Sequence, residues 1–455
     1  MKILMTGATG LIGREVGKIL ARKGHHIVIV SRSLAKAREM APFPCEVIKG
    51  DLSEGPLRDD RLEGVEAVIN LIGEPVVGER WSEEKKKKIF ESRVTGTKNL
   101  VASLPNSLRV FVSGSAIGYY GHAGNEVISE THEPGRDFLS RVCIQWEKEA
   151  AKAPGRKVFI RTSVVLAPQG GALEEMLFPF RAGVGGTLGN GSHWMSWIHL
   201  TDIANLFVFA LENNNVEGPL NGSAPVPVTN KEFSKQLAAA VGRKLGPPIP
   251  LVALKVLFGE VSTVMLSSLR GSAEKAQSLG FQFKYPTLDK ALTEICAPYK
   301  VQEEFFYAEQ FIPEPPEKVF PFFQDAQNLE MITPPTLNFQ IENMPKEDLH
   351  KGAVIDYRLK IRGVPVKWKT EIDEWQPPHR FVDNQVRGPY RFWHHTHEFQ
   401  PFCGGTLMVD RVRYKLPGGF PGWLVASQWV RQDVENIFMF RRRYIATMDM
   451  PKKEK

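Results

Sequence analysis

The chain has 455 residues, 42% of them apolar and 24% charged, which is ordinary globular usage and length enough for two or three domains. That composition excludes a disordered, collagenous or disulfide-stapled chain. The formal charge is +7, from 58 basic and 51 acidic residues, and the whole excess falls in the first 300 residues. So small an excess suits a phosphate-bearing small molecule and gives no argument for nucleic acid.

Ile3-Leu4-Met5 is predicted to be a short buried strand, running without an apolar leader into Thr6-Gly7-Ala8-Thr9-Gly10-Leu11-Ile12-Gly13. A helix over Arg14 to Lys23 and a second apolar strand, Ile27 to Val30, follow. Strand, glycine turn, helix and strand within about 30 residues form a dinucleotide-binding pattern. Gly7 allows the tight turn, Gly10 lets the backbone approach a pyrophosphate, and Gly13 lets the helix pack on the strand. With Thr9, Leu11 and Ile12, these residues bring free N–H groups to the phosphates. The second strand ends in Ser31-Arg32, where a carboxylate would favour a 2′-hydroxyl. A hydroxyl followed by a guanidinium suits a 2′-phosphate, so NADP(H) is expected over NAD(H).

Further strands are predicted at Glu46–Ile48, Ala67–Gly73, Val110–Val112 and Val158–Ile160, with a helix at Ser82–Ser103. This alternation predicts an α/β fold with a doubly wound parallel sheet, whose ligands sit at the C-terminal strand ends. Lys85 to Lys88 are read as a solvated helix face. The Gly183 to Gly191 stretch, with five glycines, is read as a mobile loop. Residues 216–297 are expected to open on Gly-Pro turns and then form a small helical lobe, about 246–297, that closes over the cleft. The most apolar window, Leu251–Leu269, is broken by Lys255, Gly259 and Glu260, so it is read as a buried or amphipathic helix and not a membrane span. His199 and Asp202 are expected to fix the start of a helix, and Glu74 lies where it could touch substrate. Four cysteines, Cys45, Cys143, Cys296 and Cys403, lack metal-ligand spacing, so no metal site is expected. They are read as reduced thiols of a cytoplasmic protein.

The glycine turn, Gly50-Asp51-Leu52, the serine-rich strand end Ser113 to Ser115, and Trp197-Ile198-His199-Leu200-Thr201-Asp202 resemble the extended short-chain dehydrogenase/reductases, a Rossmann-fold family. Asn70-Leu71-Ile72-Gly73-Glu74-Pro75, Arg80-Trp81, Ser92-Arg93, Gly118-Tyr119-Tyr120-Gly121, Gly170-Gly171-Ala172 and Trp194 to His199 narrow this to their uncharacterised, epimerase-like subfamily with its DUF1731-type lobe. The resemblance spans residues 1–297. It implies that Asp51, Leu52, Leu71, Ile72 and Gly73 also line the cofactor. It further implies a Tyr-x-x-x-Lys pair on the helix after the serine strand, and here the sequence departs. With the family's glutamate set on Glu147, Cys143 stands at the lysine position and Leu139 at the tyrosine position. The family's asparagine is replaced by Arg93, which is either a substitute positive charge beside the cofactor or a surface helix residue. Ser115 alone remains, and Tyr119 and Tyr120 are the nearest alternative acids or else packing residues.

Composition changes near residue 298, where a separate module, residues 301–455, begins. A strand at Glu304–Ile312 and helices at Pro315–Phe323 and Ala326–Ile332 come first. Strands of period-two alternation then run through Ile355–Ile361 and Val366–Ile372. Two more, Arg391–Phe399 and Thr406–Tyr414, turn at Gly404-Gly405 before a long helix from Trp423 to about Met448. This α+β layout, with Val319-Phe320-Pro321-Phe322-Phe323 and Trp375-Gln376-Pro377-Pro378-His379-Arg380-Phe381, resembles the START/Bet v 1-like (SRPBCC) helix-grip superfamily. The resemblance implies an apolar or aromatic small-molecule ligand. His395 and His397 share strand parity with Trp393 and face inward, either to orient a ligand or bonded to neighbours. Arg441-Arg442-Arg443 is read as serving the negative end of the helix.

Two functions are therefore expected. One is an NADP(H)-dependent oxidoreductase or epimerase-like enzyme acting on a small-molecule substrate, with an appended ligand module. The other is a non-catalytic NADP(H) sensor coupled to a lipid-like ligand site.

Overall fold

A computed structural model describes residues 1–299, 302–346 and 348–448. The chain divides into two units, Met1–Leu34 with Cys45–Ala297, and Ala35–Pro44 with Pro298–Lys455. Residue 301, the expected start of the second module, lies outside the described residues, as do 449–455.

The sheet of the first unit is built from β1 (Lys2–Thr6), β2 (His26–Ser31), β3 (Glu46–Lys49), β4 (Ala67–Asn70), β5 (Val110–Ala116), β6 (Arg156–Thr162) and β7 (Gly218–Gly222). The spatial order is β7-β6-β5-β4-β1-β2-β3, every pair parallel. Ile3, Leu4, Met5, Val68, Ile69, Phe111 and Val112 are fully enclosed, the uninterrupted burial that a parallel sheet covered on both faces requires. Connecting helices include α1 (Leu11–Arg22), α2 (Glu83–Ala102), α3 (Phe138–Ala150) and α4 (Leu200–Glu212). Chain direction across the sheet reverses between β1 and β4, which opens a crevice at their C-terminal ends.

Four expectations for this unit are corrected. Residues 218–222 are an edge strand, not a turn; Pro219 is tolerated because an edge leaves one backbone face without ladder bonds. The 183–191 loop is fastened rather than free. Gly189 and Gly246 N–H donate to Ile249 and Gly185 carbonyls (2.9 and 2.8 Å), and Ile249 N–H donates to Thr187 (2.7 Å). A Cβ on Gly186 would stand 1.8 Å from Pro247 O, so glycine serves close approach there. The lobe helices, α5 (Asn230–Ala240), α6 (Leu251–Phe258) and α7 (Leu288–Cys296), exist. However, α6 buries Leu254 while Val252, Val256 and Leu257 face solvent. Lys85 is buried between Glu74 (2.9 Å) and Glu79 (2.6 Å), which removes it from the solvated face and ties up the Glu74 carboxylate.

The second unit has β8 (Glu303–Ile312), α8 (Pro316–Gln324), β9 (Gln340–Asn343), β10 (Val354–Ile361), β11 (Val364–Gln376), β12 (Arg380–Arg387), β13 (Phe392–Phe402), β14 (Gly405–Lys415) and α9 (Gly419–Thr447). Its sheet is antiparallel throughout, in the order β8-β14-β13-β12-β11-β10-β9. The first strand therefore pairs with the last. Trp423, Ser427, Val434, Phe438 and Ile445 are the buried residues of α9; their 4-7-4-7 spacing makes one inward stripe. Phe320, Phe381, Phe399, Ile355 and Ile372 form the core with Ile445. β12 was not expected: the Pro377–His379 turn hid its start, and the polar run Asp383-Asn384-Gln385 interrupts its apolar alternation.

Candidate functional site

The glycine turn after β1 has no room for side chains. Gly7 has φ +65°, and a Cβ there would meet Leu71 O at 2.2 Å; one on Gly13 would meet Gly7 O at 2.3 Å. The first bond within α1 runs from Arg14 N–H to Gly10 O (3.0 Å). The N–H groups of Leu11, Ile12 and Gly13 thus have no partner within the helix. Thr9 and Gly10 stand at the open edge of this turn. At the end of β2, Ser31 Oγ donates to Ser33 O (2.9 Å), and Arg32 is exposed. Burial opposes ionisation of Asp51, but hydrogen bonds from Ser53 and the nearby Arg32 charge hold its pKa below the ordinary value. Leu52 is the exception among the expected contacts, because its side chain lies in the core. Its carbonyl accepts from Asn99 Nδ2 (2.8 Å).

A buried polar network holds the ends of three strands. Thr6 Oγ1 donates to Asn70 Oδ1 (2.7 Å), and Asn70 Nδ2 donates to Thr97 Oγ1 (2.8 Å) and Ser113 Oγ (3.2 Å). Leu71 N–H returns to Thr6 Oγ1 (3.1 Å). Leu71, Ile72 and Gly73 are thereby carried past β4 to the same edge as Gly7. Arg93 packs on Gly73, donates to Glu74 O (2.9 Å), and lies over the Trp146 ring (5.5 Å). It is not a surface residue. Burial lowers its pKa, with Cys143 and Glu74 acting in the opposite direction.

Beyond β5 a second network centres on Arg161, 3% exposed at the end of β6. Its Nε and Nη2 donate to Glu147 Oε1 and Oε2 (2.9 and 2.8 Å), and its Nη1 to Tyr120 Oη (2.8 Å). Tyr120 in turn donates to Asn221 Oδ1 (2.8 Å). Burial pushes the Tyr120 pKa up to about 12 against the Arg161 charge. Ser115 Oγ donates to Glu147 Oε1 (2.6 Å), so its proton is already committed. Tyr119 is half-buried, with the guanidinium 3.5 Å from its ring centre. Leu139 packs on Gly118, and Cys143 is a buried thiol raised to about 12 by burial. His199 caps α4 as expected, through Thr201 N–H (3.0 Å). Asp202 instead accepts from Lys284 and Tyr285 N–H (2.8 and 2.9 Å), holding the lobe's backbone.

In the second unit, three neighbouring strands bring four titratable groups together. Asp383 of β12 stands opposite His395 of β13, and His397 opposite Asp410 of β14. His395 contacts Asp410 Oδ1 (3.0 Å) and Asp383 Oδ2 (3.2 Å); His397 Nε2 contacts Asp383 Oδ2 (3.1 Å). Burial opposes the charges, but the pairing outweighs it: His395 is raised and both aspartates are lowered. Among the described residues, Asp383, His395 and His397 are a group close enough to share a metal ion, where no metal site was expected. They stand at a cavity of about 630 Å³. Arg441 also faces this cavity, away from the helix end it was expected to serve.

The family model for NAD dependent epimerase/dehydratase matches residues 3–221, and that for a domain of unknown function, DUF1731, matches 249–295. An epimerase family protein SDR39U1 homologue of Arabidopsis thaliana, described as chloroplastic, is 40% identical over 305 residues, 65% of this chain and 86% of that one. The chain belongs to the epimerase family. Another epimerase family relative, SDR39U1 of Homo sapiens, is 35% identical over 65% of this chain and all of its own length. A crystal structure of human SDR39U1 with NADPH superposes with a TM-score of 0.58 at 32% identity, covering 65% of this chain and 99% of that one. The epimerase-family fold accounts for the glycine turn and the Rossmann-like parallel sheet. Arg161 and Asn221 were missed in the sequence; Arg161 could have been found from its place just past the predicted strand Val158–Ile160, whereas Asn221 lay in a segment read as a turn. Asp383 falls in a stretch to which no element was assigned, Asp410 was passed over inside an apolar strand, and Arg441 was read only as serving the helix terminus.

Proposed function

We propose that the first unit binds NADP(H) and acts as an oxidoreductase or epimerase-like enzyme on a small molecule. The cradle after β1 carries this reading, since it excludes side chains and offers unpaired helical N–H groups. Gly7, Thr9, Gly10, Leu11, Ile12 and Gly13 would receive the pyrophosphate, and Ser31 and Arg32 the 2′-phosphate. Asp51, Leu71, Ile72 and Gly73 would flank the remainder, and Arg93 would supply fixed positive charge. When bound, the nicotinamide supplies or accepts hydride at a carbonyl or alcohol carbon. The chain's own part is orientation and proton movement. Ser115 would turn from Glu147 to the substrate oxygen, and Tyr119 would carry the proton beside Arg161. Tyr120, bonded on both sides, would hold Arg161 in place. Burial raises the Tyr119 pKa, and the Arg161 charge opposes that rise.

The test is titration with NADPH and NADH, followed by nicotinamide fluorescence. NADPH should bind more tightly, and Arg32→Ala should weaken NADPH at least tenfold while sparing NADH. Equal affinities unaffected by the substitution would refute the NADP(H) assignment. A second reading, a non-catalytic sensor, is favoured by Leu139 and Cys143 at the family's tyrosine and lysine positions. NADPH binding without turnover on a panel of carbonyl compounds would select it.

The second unit we read as a START/Bet v 1-like module that takes an apolar or aromatic ligand. Its support is the first-to-last strand pairing, the single inward stripe of α9 and a cavity of ligand size. Cysteines that form no disulfide among the described residues support a reducing, cytoplasmic setting. Among the described residues, no helix is long and apolar enough to cross a membrane.

A further inference from the structure

We propose that the cavity of the second unit recognises a small aromatic carboxylate, its anionic head received at Arg441 and its ring held among the aromatic walls. This rests on the reading of that unit as a ligand-binding module and adds the charge and shape of the ligand. The walls include Phe339, Tyr357, Trp368, Tyr390, Trp393 and Phe438. Tyr357 stacks on Trp368 (5.9 Å, 17°), and Trp393 meets Trp368 edge-on (5.4 Å, 89°). Flat faces and edges of this kind select a planar ring over a flexible chain.

The polar atoms are unbalanced. Arg441 Nε and Nη1, His397 Nδ1 and Trp368 Nε1 are buried without a hydrogen-bond partner. Arg441 lies over the Phe438 ring (4.9 Å), and its Nη1 is 3.6 Å from Asp410 Oδ1, beyond hydrogen-bond range. His397 Nδ1 is 2.9 Å from the same oxygen but off the line a hydrogen bond needs. Asp383 and Asp410 are engaged with the two imidazoles. Arginine and indole nitrogens can only donate. The missing element is therefore an acceptor, and beside a buried guanidinium the strongest acceptor is an anionic one. A divalent cation fits less well. The Arg441 guanidinium at the same cavity would repel the ion.

The experiment compares 2-naphthoate with its uncharged counterpart, 2-naphthalenemethanol, on the full chain by calorimetry. The naphthoate should bind at least tenfold more tightly. Arg441→Met should erase that difference while leaving the alcohol bound, and Arg441→Lys should restore part of it. Alcohol binding reports that each variant retains the cavity. Equal affinities in the unmodified protein, or a preference that survives Arg441→Met, overturn the anion inference alone. Binding of neither probe overturns the ligand-module reading, and the inference falls with it.

Discussion

Asn70 is a single side chain on which three strand ends depend. Replacing it with alanine takes one partner each from Thr6, Thr97 and Ser113, and leaves the Thr6 hydroxyl proton without its acceptor in a core that water does not reach. Buried groups left unsatisfied cost about 1–3 kcal/mol each. Asn70→Ala should therefore lower the thermal midpoint of the first unit by several degrees in calorimetry; an unchanged midpoint would show that the network reorganises freely. Arg161 is the larger test. Breaking a buried ion pair by removing one partner costs about 3–5 kcal/mol, because the other charge stays behind. Arg161→Met should destabilise severely, and adding Glu147→Gln should recover much of the loss. If the double variant is no better than the single one, packing rather than charge is what Arg161 provides. Neither residue declares itself in the sequence. Asn70 reads as the polar end of an apolar strand, and Arg161 acquires meaning only when Glu147, fourteen positions earlier, arrives from a helix. The glycine turn is different. Its constraint is local, since a positive φ and a close carbonyl demand glycine wherever the chain goes afterwards, so it could be read directly.

At the scale of elements, the His–Asp cluster of β12, β13 and β14 makes stability depend on pH in both directions. His395 has a raised pKa in the folded state, so its contribution is complete below its unfolded value of about 6.5. That contribution is lost as pH rises through the folded value. Asp383 and Asp410 are lowered, so theirs is complete above about 3.9 and is lost as pH falls. The second unit should be most stable between about pH 4 and 6.5, with its melting transition falling on either side. Asp410→Asn should flatten the alkaline decline, and an alkaline limb of unchanged slope would place the titration elsewhere. The strands carrying this cluster were only partly legible. β10 and β11 alternate in sequence because one face is apolar, whereas β14 is buried on both faces along most of its length. β12 does not alternate, since Asp383 faces inward to meet the imidazoles, and the pairing that stabilises it is invisible in its own segment. The same holds for β7, whose glycines and proline signal a turn unless the neighbouring edge of the sheet is known.

For the molecule as a whole, the two units offer two separate ligand tests. A ligand that binds only the native state stabilises it by about 2.7 kcal/mol at a hundred times its Kd. NADPH at that level should raise the transition of the first unit and leave the second where it is. 2-Naphthoate should do the reverse. If either ligand moves both transitions together, the units unfold as one cooperative body.

The pairing of β8 with β14 also sets an order of events during synthesis. Glu303 lies opposite Lys415, so the first strand of the second unit waits more than a hundred residues for its neighbour. Contacts of such long sequence separation form slowly and leave edges open meanwhile. The parallel sheet of the first unit, by contrast, has all its strands once residue 222 is made. A nascent chain can thus finish its nucleotide fold while the second sheet is still open. That interval is when the newborn protein is most exposed to aggregation, and when a chaperone would find it.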